Sequence, residues 1–149
     1  MKVLQFNDQT DLSIDESQVI SLVEEVFCLK ETSSQELIIH FVSKEEISRL
    51  HGEFFNDPSP TDCITFPFRT QELLGEIFIC PKVAMEYAPE DPYKETTLYI
   101  VHTILHLLGY DDIDPEDQIK MREGEAEVMS HLVEKKRVLS NPGKDIKNL

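Results

Sequence analysis

The sequence has no apolar run of the roughly 18 residues that a membrane-spanning helix needs, so we expect no membrane span. Its first residues, MKVLQFNDQTDL, contain neither the long apolar segment nor the small-residue cleavage site of a secretion signal. Cysteines are few, and Cys28, Cys63 and Cys80 form no C-x-x-C pair. That pattern fits a reducing compartment and offers no zinc-finger spacing. We therefore expect a cytoplasmic protein with reduced thiols.

Basic residues are scarce as well. The 14 Lys and Arg residues stand against 29 Asp and Glu, which gives a formal charge of −15. This balance argues against nonspecific nucleic-acid binding over the whole surface. Half of the basic residues follow position 119, which predicts either a local basic strip or a solvated helix face with a loose tail. They are Lys120, Arg122, Lys135, Lys136, Arg137, Lys144 and Lys147.

The 149 residues fit one domain, and we find no internal repeat or low-complexity tract. Apolar patterning predicts strands over 2–6, 36–42, 61–68 and 73–80. Helical spacing predicts helices over 16–30, 44–55, 81–87, 92–108 and 115–138. The link between the last two strands is short enough for a hairpin, although a parallel arrangement stays open. We predict a single α+β domain over 1–140, with about four strands in a mixed sheet packed with about five helices, and a flexible tail over 141–149.

Two histidines lie four residues apart in the predicted helix over 92–108. His102 and His106 therefore share one face, about 6 Å apart along the axis. The helix is apolar nearly all round, so we expect it to be buried. An unpaired buried polar group costs roughly 1–3 kcal/mol, and a divalent metal ion would satisfy both imidazoles.

A third candidate ligand follows the helix. Gly109 permits a sharp turn, and Asp112 comes three residues later, which completes a metzincin-like H-x-x-x-H-x-x-G-x-x-D pattern. Three protein ligands with one open position are typical of a catalytic zinc site. The alternative is that the histidines hydrogen-bond to backbone or acids, while Asp111 and Asp112 merely begin an acidic loop. Peptide hydrolysis is disfavoured, because Thr103 occupies the place of the general-base glutamate of H-E-x-x-H proteases.

These residues resemble the YbeY endoribonucleases, a family of bacterial rRNA maturation factors. The family hallmark H-G-x-L-H-L-x-G-Y-D-H stands here as HTILHLLGYDD, residues 102–112. The block P-T-[DN]-V-L-S-F-P matches PTDCITFP over 60–67, and L-G-[DE]-I-x-I-C matches LGEIFIC over 74–80. The blocks come in family order and spacing, within a resemblance that covers about 36–133.

The resemblance implies one α/β domain with a metal ion held by His102, His106 and Asp112. Zinc is the favoured ion and manganese the alternative. It also implies cleavage of single-stranded RNA, maturation of the 3′ end of small-subunit rRNA, and a role in ribosome quality control. The implied partners are rRNA, the small ribosomal subunit and ribosomal protein.

The sequence departs from the family pattern at two functional places. Asp112 stands where the family usually has histidine; a carboxylate still ligates zinc, although it adds negative charge and favours harder metals somewhat. Phe54-Phe55 replaces a Tyr-Arg pair whose arginine is thought to face the substrate phosphate. Arg49 and Arg69 flank the region and are candidate substitutes. The usual serine of the second block is Thr65, which keeps the hydroxyl.

The favoured mechanism is metal-assisted phosphodiester cleavage. Asp111 either takes a catalytic part, by orienting a ligand or accepting a proton, or caps the turn. Tyr110 is expected to pack beside the glycine turn. The main rival function is a weakly active or non-catalytic ribosome assembly factor whose acidic surface binds ribosomal protein. A metalloprotease is the weaker rival.

Overall fold

The structure, a computed structural model, describes residues 2–32, 36–68, 70 and 72–143. The strands are β1 Lys2–Asn7, β2 Glu36–Phe41, β3 Cys63–Pro67 and β4 Leu73–Ile79. The helices are α1 Glu16–Leu29, α2 Lys44–Phe55, α3 Pro81–Tyr87, α4 Pro92–Leu107 and α5 Pro115–Glu134. The predicted α+β class is confirmed. In the part of the chain described, no helix is both long and apolar enough to cross a bilayer.

The four strands form one mixed sheet in the order β1-β2-β4-β3. Strands β1, β2 and β4 run parallel, whereas β3 pairs with β4 in the antiparallel sense. The link between β3 and β4 is therefore a hairpin, which resolves the alternative left open by the sequence. Ile64 lies opposite Phe78 in this pairing, and Phe66 lies opposite Glu76.

Side-chain caps begin helices α1, α2, α4 and α5 where the sequence predicts these helices to start. The carboxylate of Asp15 accepts a hydrogen bond from the Ser17 N–H at the start of α1. Asp91 and Asp114 cap α4 and α5 in the same way, and each precedes a proline in the first helical turn. A proline there costs nothing, because the N–H it lacks would have no helical partner. The aspartates therefore fix where α4 and α5 start.

Helix α5 is shorter than the sequence predicts. It ends at Glu134 rather than near 138, and Lys136 adopts a left-handed backbone conformation with φ 57°. The turn carries the chain back to the core, where Leu139 is buried and its N–H donates to the Thr97 hydroxyl at 3.1 Å. The predicted tail over 141–149 lies mostly outside the described residues, because positions 144–149 are not among them.

The main core lies between one face of the sheet and the helices α1, α4 and α5. Alternate residues of β2 and β4 point into it and are fully buried: Leu37, Ile39, Phe41, Ile77 and Ile79. A smaller cluster beneath α2 covers part of the other face: Val42, Ile47, Leu50, Ile64 and Cys80. Helix α4 thus runs through the middle of the molecule, as its apolar composition predicts.

The last turn of α4 lies close against the sheet because β4 carries a glycine. A Cβ at Gly75 would clash with the Leu107 side chain and come within 2.8 Å of the Phe66 carbonyl oxygen. The missing side chain lets the C-terminal end of α4 approach β3 and β4. This contact sets the histidines of α4 beside the hairpin.

Replacing Asp114 with alanine is expected to lower the free energy of unfolding by about 1 kcal/mol. The substitution removes the acceptor for the Asp117 N–H, a 2.9 Å hydrogen bond at the start of α5. Urea unfolding measures the change, with Glu116→Ala as the control because Glu116 lies in the same turn without being the cap. Equal stability of the two variants would contradict the capping role.

Candidate metal centre

The end of α4 brings the three predicted ligands together. Gly109 follows the helix with φ 104°, a conformation that residues with a side chain rarely adopt. The reversed chain returns the Asp112 carboxylate to the histidine face. Its Oδ2 lies 3.5 Å from His106 Nε2 and 3.9 Å from His102 Nε2. We call His102, His106 and Asp112 the metal centre.

The geometry of these three groups suits a small cation. One ligand atom from each residue lies within 4.8 Å of the others. Ligands bound to zinc at tetrahedral corners, about 2.0–2.1 Å from the ion, would be about 3.3 Å apart. The separations of 3.5 and 3.9 Å are close to that spacing, so a short movement of side chains would let them hold an ion.

The imidazoles are not fully buried, contrary to the expectation from the sequence. The His102 and His106 side chains are 27% and 25% exposed, and that of Asp112 is 46% exposed. The helix backbone is buried, but this face opens into a cleft. The exposure leaves room for a fourth ligand from solvent or substrate, which is the arrangement that a catalytic metal site requires.

Glu125 of α5 contacts His102 of the metal centre. Its Oε2 lies 2.6 Å from His102 Nδ1, and its side chain is only 14% exposed. Because an ionised carboxylate can only accept a hydrogen bond, His102 Nδ1–H is the donor. In the neutral imidazole the lone pair is then on Nε2, which faces Asp112. Such carboxylate–histidine pairs orient metal-binding histidines. Glu125 is therefore a positioning residue that the sequence analysis missed.

The carboxylates around His102 favour positive charge at this point. Burial lowers the pKa of His102, but the hydrogen bond and charge of Glu125, together with the charges of Asp112 and Asp62, outweigh it. The net pKa lies above the ordinary histidine value. The same negative field that holds a proton on the ring attracts a divalent cation, which would compete with that proton for the lone pair.

Two clefts meet at the metal centre. The first, of about 480 Å³, lies between the α4 histidines and the β3 edge, and its lining includes Phe55, Cys63 and Thr65. The second, of about 880 Å³, lies toward α3 and α5. Asp62 and His102 line both clefts, so the metal centre lies at the junction of a continuous surface depression.

The turn residues beside the metal centre have separate local roles. The Asp111 carboxylate accepts a 2.7 Å hydrogen bond from the Asp112 N–H, and Asp111 also lines the first cleft. The Tyr110 ring packs against α5, and its hydroxyl accepts a 2.9 Å hydrogen bond from Lys30. The packing role predicted for Tyr110 is confirmed.

Two further side chains near the histidines are not suited to acid–base or ligand chemistry. Thr103 is fully buried, and its hydroxyl donates to the carbonyl oxygens of Tyr99 and Ile100, at 3.0 and 2.8 Å. It cannot activate a water, which supports the sequence argument against a protease. Burial, reinforced by Asp62, raises the pKa of the Cys63 thiol well above its usual range, so Cys63 stays a neutral thiol.

Of the two candidate arginine substitutes, the structure describes Arg49, which is not placed to contact a phosphate in either cleft. Arg49 is held by Glu46 and Glu53 of its own helix, at 2.6 and 2.8 Å, and does not line either cleft. Arg69 lies outside the described residues. Of the lysines and arginines that the structure describes, Lys44 and Arg122 line the second cleft, and Lys44 is paired with Glu86 at 2.8 Å.

The basic residues near the C-terminus that the structure describes do not form one strip. Lys120 and Arg122 lie in the first turns of α5, whereas Lys135 follows its last residue. At 1.5 Å per helical residue, roughly 20 Å separates Arg122 from Lys135. Lys144 and Lys147 lie outside the described residues. Among the described members of this group, Arg122 is the residue that lines one of the two clefts.

The chain is similar to known proteins over most of its length. The family model described as endoribonuclease YbeY matches residues 5–133. An endoribonuclease YbeY from Protochlamydia amoebophila is 45% identical over 134 residues, which are 85% of this chain and 89% of the relative. This chain belongs to the YbeY family. A YbeY protein from Chlamydia trachomatis serovar D is 38% identical, and the match covers 89% of each chain.

A solved structure extends the comparison to the fold. The solution structure of a Thermotoga maritima protein aligns with a TM-score of 0.61 at 27% sequence identity. The alignment covers 95% of this chain and 98% of that protein. The resemblance to YbeY that the sequence motifs indicated is therefore confirmed over most of the chain.

Proposed function

We propose that this protein is a metal-dependent endoribonuclease that cuts single-stranded RNA in the cytoplasm. We further propose that it matures the 3′ end of small-subunit rRNA and takes part in ribosome quality control, with the small subunit and ribosomal protein as partners. Membership of the YbeY family supports the activity. The observation that carries the proposal is the convergence of His102, His106 and Asp112 where the two clefts meet.

The proposed ligands are His102 Nε2, His106 Nε2 and an Asp112 carboxylate oxygen, for one divalent cation. Zinc suits two imidazoles and a carboxylate, and manganese is the alternative because a carboxylate favours harder ions. When bound, the cation supplies Lewis-acid polarisation of a phosphate oxygen and acidifies a coordinated water. Each remaining contribution to cleavage belongs to this chain's own residues.

Glu125, Asp111 and the apolar side chains of the cleft have separate roles in the proposed cleavage. Glu125 holds the His102 ring with its Nε2 toward the cleft. The Asp111 carboxylate lines the first cleft beside the histidines, and we propose that it accepts a proton during cleavage as well as bonding to the turn. Phe55, Ile64 and Pro67 form an apolar wall on the hairpin side of the cleft.

Cleavage of a single-stranded RNA that carries the 3′ end of small-subunit rRNA tests the proposal. Protein loaded with zinc or with manganese is expected to cut it, chelator-treated protein is expected to leave it intact, and added metal is expected to restore cleavage. The same sequence annealed into a duplex serves as the matched substrate control. Cleavage that continues unchanged in chelator would contradict a metal-dependent reaction.

A ribosome assembly factor with little or no nuclease activity is the second candidate. It is favoured by the charge of −15 and by the ion pairs that hold Arg49 away from the clefts. An acidic surface is complementary to basic ribosomal proteins. This candidate predicts that metal-loaded protein binds a basic ribosomal protein in a salt-sensitive manner and leaves the RNA uncut.

A further inference from the structure

Phenylalanine side chains are exposed at the edge of the first cleft. Phe54 and Phe55, at the end of α2, are 56% and 52% exposed. Their rings meet Phe66 of β3, with centroid distances of 5.2 Å from Phe54 and 6.3 Å from Phe55. We call these three rings the phenylalanine platform. Contiguous exposed apolar surface of this kind marks a site of interaction.

The platform is continuous with the metal centre. Phe55 lines the same cleft as His102 and His106, and His51, which also lines it, tilts against the Phe55 ring at 5.5 Å. A polymer that reaches the histidines through the first cleft therefore passes beside Phe55. A strand that follows this path contacts both the platform and the metal centre.

The charge around the cleft determines which part of an RNA strand the platform can take. Asp62 and Asp111 line the first cleft, and no lysine or arginine does so among the residues that the structure describes. Apart from the cation proposed for the metal centre, the described lining of this cleft offers no positive side chain to a phosphate. Nucleobases are uncharged and stack on aromatic rings, a contact that tolerates any sequence.

We propose that the phenylalanine platform stacks an unpaired nucleobase of the RNA beside the bond to be cut. It thereby positions the strand in a protein that has phenylalanine where the family pattern has arginine. The inference rests on the proposed function, because RNA is the substrate assumed. It also supplies a reason for single-strand preference, since the face of a base within a duplex is already stacked.

The absence of tryptophan from the sequence makes stacking directly measurable. The Phe55→Trp variant has a single tryptophan at the cleft. Phe6→Trp is the matched control, because Phe6 is 47% exposed but lies on β1, at the sheet edge opposite β3. Both proteins are titrated in chelator with a short mixed-sequence single-stranded RNA, and with the same oligonucleotide carrying abasic sites.

We expect the intact RNA to quench the fluorescence of Phe55→Trp and to leave that of Phe6→Trp unchanged. The abasic oligonucleotide should quench neither. Fluorescence anisotropy of labelled RNA reports binding independently. Binding without quenching at position 55 overturns the proposal, and so does a lack of binding, because stacking needs no metal.

Steady-state cleavage separates this inference from the proposed function. Phe55→Leu keeps an apolar side chain but removes the ring, so KM for RNA should rise about tenfold while kcat changes little. Phe6→Leu should leave both constants unchanged. Cleavage by Phe55→Leu with an unaltered KM overturns stacking and leaves the nuclease proposal intact; the platform would then be a surface for a protein partner. Quenching by RNA without cleavage by the wild-type protein overturns the nuclease and leaves stacking intact.

Discussion

Replacing His106 with alanine is expected to abolish RNA cleavage and to weaken zinc binding by roughly 100-fold or more. Loss of a carboxylate that only orients a metal-binding histidine typically costs 10–100-fold in affinity, so removal of a ligand itself should cost at least as much. His106 Nε2 lies 3.5 Å from the Asp112 carboxylate, within reach of a shared ion. Isothermal titration with zinc and the single-stranded RNA assay measure the two effects.

His131→Ala is the matched control for His106→Ala. Its side chain is 23% exposed, close to the 25% of His106, and its Nε2 also faces a carboxylate, that of Glu25 at 2.7 Å. This pair joins α1 and α5 away from both clefts, so its loss should leave zinc affinity and cleavage unchanged. Equal behaviour of the two variants would show that His106 is not a ligand.

The local signals in the sequence were enough to predict most of the fold. Asp15, Asp91 and Asp114 are each capping residues, and an N-cap depends on a few neighbouring residues only, so the helix starts could be predicted. The HxxxH spacing and Gly109 act within one helix and one turn, which is why the positions of the three candidate ligands also followed from the sequence.

Features that depend on distant contacts were missed or wrong. Glu125 is one acid among several in α5, and only the packing of α5 on α4 reveals that it meets His102. Helix α5 ends early because Leu139 must return to the core, a constraint with no local signal. The pairing of Arg49 is different, because its cause is local: Glu46 and Glu53, three residues before it and four after it in the same helix, hold its guanidinium.

The second large effect is expected at Glu125. Glu125→Ala should lower zinc affinity by about 10–100-fold, because His102 would lose the acceptor that fixes its tautomer and orientation. Glu125→Gln is expected to lose less, since the amide oxygen can still accept from Nδ1–H while the negative charge is gone. Isothermal titration with zinc ranks the three proteins, and nitrogen chemical shifts of His102 report which ring nitrogen carries the proton.

The neighbouring Glu127→Gln separates this positioning role from a general effect of charge on α5. Glu127 lies two residues after Glu125 in α5, and its carboxylate binds Lys30 at 3.1 Å rather than a histidine. The Glu127→Gln substitution removes the same charge from the same part of α5. The zinc affinity and the His102 tautomer of this variant should therefore match those of the wild type. If Glu127→Gln weakened zinc binding as much as Glu125→Ala, long-range charge would explain the result.

If only the Glu125 variants shift the His102 proton, the metal centre depends on a residue from a second helix. The packing of α4 against α5 is then part of its chemistry.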